Sequence, residues 1–468
     1  LFQVASLDAF GNFERAELAA MGAVVDYLDL TQKGNLPLLQ PPNREIAQRV
    51  MQIDAATRRN LELSRSLTGE RGGALLDVID KTVTAGGARL LARRLASPST
   101  VVSEIADRLD AIETFVADSM LSETLRGLLR PCPDLDRALS RLSLDRGGPR
   151  DLTAVRNALE QAQLIATQVP DDAQRGALVD LNDLTDLHDL LDAALVAEPP
   201  MMLRDGGVIA PGYDASLDET RKLRDEGRGV LAQMQADYAA KAEVPALKIK
   251  HNNVLGYFIE VTALHGPKLL AEPLSETFIH RQTTANAMRF TTVELSELET
   301  KILNAGARSL EIETSHFHGI RAEILAKAAQ LANLARGLSL LDLAPSLAYL
   351  ARAQDWTRPV VDSSRHFDIQ AGRHPVVEAA LRRQGNAPFI ANSCDLSGEP
   401  SSIWLLTGPN MAGKSTFLRQ NALIAILAQM GSYVPATHAH IGLVSQVFSR
   451  VGASDDLARG RSTFMVEM

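Results

Sequence analysis

Residues 408–415 read Gly-Pro-Asn-Met-Ala-Gly-Lys-Ser. This is the G-x-x-x-x-G-K-[ST] spacing of a phosphate loop. Its glycines let backbone N–H groups close around phosphate oxygens, and a helix N-terminus adds positive potential. In that pattern Lys414 reaches the β- and γ-phosphates, and the Ser415 hydroxyl sits on Mg²⁺. Gly408, Pro409, Asn410, Met411, Ala412, Gly413, Lys414, Ser415 and Thr416 are therefore the candidate phosphate contacts. The flanks suit the loop. Ile403–Thr407 (Ile-Trp-Leu-Leu-Thr) reads as a short buried strand. Thr416–Met430 reads as a helix, with Leu418, Ala422, Ala425 and Gln429 at helical spacings and a stop at Gly431. The ligand implied is a nucleoside triphosphate, ATP or GTP.

Other elements must hold that loop. From about residue 353 strands and a helix alternate: Phe367-Asp-Ile-Gln, 403–407, the helix at 416–430 and Gln446-Val-Phe-Ser. This is the alternation of an α/β nucleotide-binding domain. Residues 40–200 are mostly helical by pattern. Leu75, Val78, Ile79 and Val83 make one apolar stripe, and Ile105, Leu109, Ile112 and Val116 another. Between 213 and 344, Ser216-Leu-Asp-Glu219 and Thr291-Thr-Val-Glu294 have the form of capping boxes at helix starts. Proline is absent from 212 to 244 and from 274 to 344. Two long helical runs are expected there, each about 38 Å for some 25 residues. They flank a stretch of strand character, Ala246–Lys250 and Tyr257–Val261. The pattern predicts a small β module on two helical arms.

The chain has 468 residues, 46% hydrophobic and 22% charged, which suits several globular domains. Net charge is −9, so any nucleic-acid contact must be local. Six of the ten lysines fall between 222 and 301. Within 241–291 there are six Lys/Arg against four Asp/Glu, with His251, His265 and His280. That tip is locally basic. Cys132 and Cys394 are far apart, without metal-ligand spacing, and read as buried thiols of a reducing compartment. The apolar stretch near Ala422–Met430 is far short of a membrane span.

Longer segments narrow the family. Thr407–Gln420, Gly431-Ser-Tyr-Val-Pro-Ala436, Ser449–Asp456 and Gly460–Met468 together closely resemble the ATPase domain of the MutS family of DNA mismatch-recognition proteins. Upstream, Asp54–Glu62, Pro149–Leu152, Gly206–Tyr213, Gly256–Glu260 and Gly372–Val376 resemble that family's segments, in the same order. The resemblance implies a multidomain fold. A mostly α-helical core with levers carries a small β clamp insertion, followed by an α/β phosphate-loop ATPase domain of ABC type that is truncated. The expected parts are 1–28, a connector remnant; 29–242, core and first lever arm; 243–291, DNA clamp; 292–352, second lever arm and core; and 353–468, the first part of the ATPase domain. The family's mismatch wedge and Walker B strand do not appear, so the chain reads as an internal fragment.

The resemblance also implies residue roles. Pro388-Phe-Ile-Ala-Asn392 matches the family's adenine-contacting stretch, which assigns Phe389 and Ile390 to the base of ATP. Ser462 matches the signature serine that completes the partner subunit's ATP site in trans, beside catalytic Lys414. At the clamp, Lys248, Lys250, His280, Arg281 and Arg289 are the candidate DNA-phosphate contacts, which position without reading sequence. Expected cofactors are ATP and Mg²⁺. Expected partners are mismatched duplex DNA, a second copy through the ATPase domain and a MutL-type repair protein, in the bacterial cytoplasm at the nucleoid. Two rivals remain: a MutS-like paralogue acting in recombination, and a non-hydrolysing DNA-binding scaffold.

Overall fold

The computed structural model describes residues 4, 6–34, 36, 37, 39, 41, 42, 44, 47–169, 176–252, 254–385, 387–398, 402–409 and 412–450. They are rich in helix, carry small sheets and divide into two compact units. The first comprises 1–145, 154–185 and 327–468; the second comprises 146–153 and 186–326.

The first unit is built around the helix Ala328–Gln354. Helices Ala85–Ala96, Val102–Ala117 and Ser119–Leu129 pack on it. The stripe Ile105, Leu109 and Ile112 is buried, as are Leu75, Val78 and Ile79. The helix carrying the latter three ends at Ile79, so Val83 lies beyond it. Inside the bundle Asp342 is fully buried and accepts from the Thr84 amide at 2.8 Å and hydroxyl at 2.6 Å, and from the Ser346 hydroxyl at 3.1 Å. A buried carboxylate needs such donors.

The same unit holds a four-stranded sheet in the spatial order Val360–Asp362, His438–Gly442, Phe367–Gly372, Asn392–Asp395. The first pair is parallel and the others antiparallel. The helix Lys414–Gln429 packs on Phe367–Gly372 and is buried over nearly its whole C-terminal half, where Leu423 to Ala428 are at most 2% exposed. The expected helix is present, but Leu418, at one of the helical spacings, is 49% exposed. A helix enclosed on several sides is apolar all round, not along one line. It ends where predicted, before Gly431 at φ +79°.

Two expectations for this unit fail. Residues 402–409 form no strand, and Ile403 and Leu405 are about nine-tenths exposed. A strand exists through its pairing, and no described strand runs beside this apolar segment. Of Gln446-Val-Phe-Ser only Gln446–Val447 is strand, and its partner is not a member of the four-stranded sheet. It pairs in parallel with Gln52–Ile53. Here the tie continues. Thr57 Oγ1 accepts from the Ser449 amide at 2.9 Å, and Asn60 Nδ2 donates to the Ser449 carbonyl at 2.8 Å. Arg419 on the helix Lys414–Gln429 meets Glu62 at 3.3 Å.

In the second unit the helices Ala215–Lys241 and Val293–Ala326 pack together and flank a four-stranded antiparallel sheet, as the proline-free runs predict. The capping residues are displaced from prediction. Asp214, not Ser216, accepts from the Leu217 amide at 3.0 Å, and Thr292, not Thr291, accepts from Leu295 at 3.0 Å. Thr291 instead ends a strand. Strands run in the order Lys248–Asn252, Gly256–Thr262, Ala287–Thr291, Ile279–Thr283. One sheet face supplies Ile259, Val261 and Phe290 to a core shared with Leu231, Tyr238, Leu295 and Ile302 of the helices. Tyr238 donates or accepts at 2.6 Å with the Thr292 hydroxyl and donates at 3.0 Å to Glu294.

Candidate nucleotide site and basic sheet face

Gly413 caps the helix Lys414–Gln429 at φ +92°, a conformation that costs glycine least. The first amides of this helix therefore open toward the loop. Lys414 Nζ folds back and donates to the Gly408 carbonyl. Its ammonium is held at the loop mouth, where a phosphate oxygen would outcompete a neutral carbonyl. Asn410 and Met411 lie outside the described residues.

A cleft of about 730 Å³ opens there, within the usual range for a small-ligand pocket. Its lining joins Phe389 and Ile390 to Thr407, Ala412, Gly413, Lys414 and Thr416. The predicted base contacts and the phosphate contacts that line the cleft are 22 or more residues apart in sequence and share one cavity. Val377 and Leu381 of the helix Pro375–Gln384 also line it. Phe417 lies parallel to Trp404, ring centres 6.2 Å apart. Phe389 is half-buried and Ile390 is 83% exposed, so an aromatic and an aliphatic side chain are open to a ligand ring.

Gly408, Pro409 and Ser415 do not line the cavity, and Ser415 is exposed on the first helical turn. Among the described residues no carboxylate lines it. Among the described residues no group of three His, Cys, Asp or Glu could hold a metal. A Mg²⁺ ion takes one or two protein ligands and completes its shell with phosphates and water. The Ser415 hydroxyl fits one such position. Ser462 lies outside the described residues.

The predicted DNA contacts divide between faces. Register pairs Lys248 with Glu260, Lys250 with Phe258, and Glu260 with Arg289. Opposed residues share a face, so Lys248, Lys250 and Arg289 lie together. His280 pairs with Phe290, whose side chain is on the core face, and stacks edge-on against it at 5.6 Å. Arg281 falls at a register irregularity and is exposed. Sequence reading missed the acid in the middle. Glu260 accepts from Lys250 at 2.6 Å and from Arg289 at 3.2 Å, and those cations hold its carboxyl below the usual range. Arg289 also covers the Phe258 ring at 4.7 Å.

Burial pushes the Cys132 and Cys394 thiols up to about 11, which makes them unreactive. Among the described residues no helix is long and apolar enough to cross a membrane.

Comparison with known proteins gives a consistent result. Residues 56–348 match the model of MutS domain III, and residues 404–468 match that of MutS domain V. The chain is 66% identical to the DNA mismatch repair protein MutS of Ruegeria pomeroyi over its whole length. It is 64% identical to that of Ruegeria sp. and 62% to that of Paracoccus denitrificans, again over all of the chain. In each case the chain spans 54% of the relative, about half its length.

Proposed function

We propose a function from one premise: the chain belongs to the MutS family of DNA mismatch repair proteins. Its role is that of an ATP-dependent mismatched-DNA-binding protein. ATP binding biases a dimer between open and closed clamps on DNA, and hydrolysis resets it. The observation that carries this is the single cleft lined by Phe389, Ile390 and Lys414.

In this reading the adenine lies against Phe389 and Ile390. The triphosphate lies on Gly408–Thr416, with Lys414 on the β- and γ-oxygens and the Ser415 hydroxyl on Mg²⁺. Mg²⁺ supplies neutralisation of phosphate charge. Ser462 serves the partner subunit's nucleotide. Lys248, Lys250, Arg281 and Arg289 touch DNA phosphates, with His280 at the strand edge. The proposed parts run from connector-type residues 1–28, through core, lever arms and the clamp at 243–291, to ATPase-type residues 353–468. A homodimer through the ATPase domain, a MutL-type protein and a cytoplasmic, nucleoid-associated location complete the proposal.

Among the described residues no carboxylate lines the cleft to orient metal or water, and on this reading the chain alone holds ATP and hydrolyses it negligibly. Thermal unfolding with ATP-Mg²⁺ tests the site. The chain is stabilised by the nucleotide, and Lys414→Ala is not. Equal stabilisation of both, or steady phosphate release by the chain alone, would contradict the reading.

A further inference from the structure

A second cleft, of about 620 Å³, opens in the first unit, away from the phosphate loop. Its walls come from the helix Ala85–Ala96, the start of Val102–Ala117, part of Ala328–Gln354, and Arg44, Arg49 and Val50. Seven arginines line it against two carboxylates, Glu104 and Asp136. Some of these are satisfied. Arg44 is held by Glu14 at 2.9 Å and Glu17 at 2.8 Å, and Arg89 by Asp134 at 2.8 Å and Asp136 at 3.0 Å. Arg108 has Glu104 at 3.5 Å and donates to the Met430 carbonyl at 3.2 Å.

Arg336 donates to Asn333 Oδ1 at 2.6 Å, and three others lack a direct partner among the described residues. Among the described residues Arg49, Arg93 and Arg94 have no ion pair and no side-chain hydrogen bond. Burial pushes Arg94 down to about 9, and the charges of Arg108 and Arg93 add to the effect against the smaller pull of Glu104. Burial likewise lowers Arg108, against the pull of Glu104. Converging, partly desolvated like charges are costly and persist best where a counter-charge arrives. The guanidinium fork matches phosphate oxygens two at a time. Val50, Leu90 and Leu340 add an apolar wall that suits an organic group. The volume is that of a small-ligand pocket.

We propose that this cleft binds a small polyphosphate anion, such as a nucleoside polyphosphate, through Arg93, Arg94 and Arg108. The site is separate from the phosphate loop but not isolated from it. Arg108 holds the carbonyl of Met430, at the C-terminal end of the helix that begins at Lys414. An anion that draws Arg108 away competes with that tie, at the far end of a helix about 24 Å long.

Isothermal titration with inorganic tripolyphosphate tests this in Lys414→Ala protein, where the phosphate loop cannot take the probe. The expected result is one site whose affinity falls steeply with salt and weakens about tenfold or more in Arg93→Gln and in Arg94→Gln. Arg94→Gln relieves repulsion, so its melting temperature without ligand is expected to be no lower than the parent's. Arg93 is exposed, so its replacement leaves the fold intact. ATP is expected to displace tripolyphosphate. Absence of binding, or unchanged affinity in both variants, overturns the proposal. A short DNA duplex that displaces tripolyphosphate better than ATP does overturns the assignment to a small anion.

Discussion

Gln429 is the residue whose loss tests how the phosphate-loop helix is anchored. It is fully buried at the last turn of the helix Lys414–Gln429. Its Nε2 donates to the Ser99 carbonyl at 2.9 Å and to the Val444 carbonyl at 3.1 Å, and its Oε1 accepts from the Val444 amide at 2.7 Å. One side chain thereby joins three chain segments. Gln429→Leu keeps the volume and removes all three bonds. A buried polar group left unpaired costs about 1–3 kcal/mol. Ser99 is buried, whereas Val444 is partly exposed and recovers water. The net cost is then about 3 kcal/mol, a large part of a typical stability of about 5–15 kcal/mol. Urea unfolding followed by tryptophan fluorescence reads it, because Trp356 is buried in the same unit. With a slope of about 3 kcal/mol/M, the midpoint falls by about 1 M. A fall below about 0.3 M would mean that these backbone groups find other partners and that Gln429 is not the anchor.

Two further outcomes follow from charges on the page. Glu260→Gln removes the carboxylate between Lys250 and Arg289; a DNA phosphate about 7 Å from it then gains roughly 0.6 kcal/mol in water, about threefold in affinity. Fluorescence anisotropy with labelled duplex at several salt concentrations checks this, and weaker or unchanged binding would count against the basic face. His374 is buried and caps the helix Pro375–Gln384; burial first, then the charge of Arg419, pushes it down to about 4 from 6.5. Because its folded value is lowered, its contribution is full above pH 6.5 and is lost as pH falls toward 4. His374→Asn keeps a capping side chain, so the stability difference between parent and variant is expected to be flat above pH 6.5 and to change only below it. A difference constant from pH 7 to 4 would refute the assignment.

What sequence revealed followed from how local each signal is. Around residues 408–415 the helix that follows the glycine-rich segment was legible, because fixed spacing and a glycine mark its start, and Gly413 does take a left-handed conformation there. The long helices were legible from periodicity and absent prolines. Helix starts were misplaced by one or two residues because Asp214 and Thr292 compete with nearby hydroxyls of equal capping ability. The strands Ile279–Thr283 and Ala287–Thr291 were not read, since their alternation is short, although Thr-Thr-Ala-Asn at 283–286 is a turn signal. An apolar run at 403–407 looked like a strand, but pairing, not composition, makes one. Glu260 between two cations, and the arginine cleft drawn from residues 44 to 336, depend on register and packing across long separations. No local pattern encodes such groupings.

The central claim is that ATP held through Lys414 changes how the protein holds DNA. The direct measurement is DNA affinity by fluorescence anisotropy, with and without ATP-Mg²⁺, in parent and Lys414→Ala protein. Among the described residues Lys414 Nζ donates to the loop carbonyl of Gly408 and to no group of the sheet at Lys248 and Lys250, so its replacement leaves that face intact. Nucleotide is predicted to alter the affinity of the parent and to leave that of the variant unchanged, with both alike in its absence. The same nucleotide response in both proteins would contradict the account.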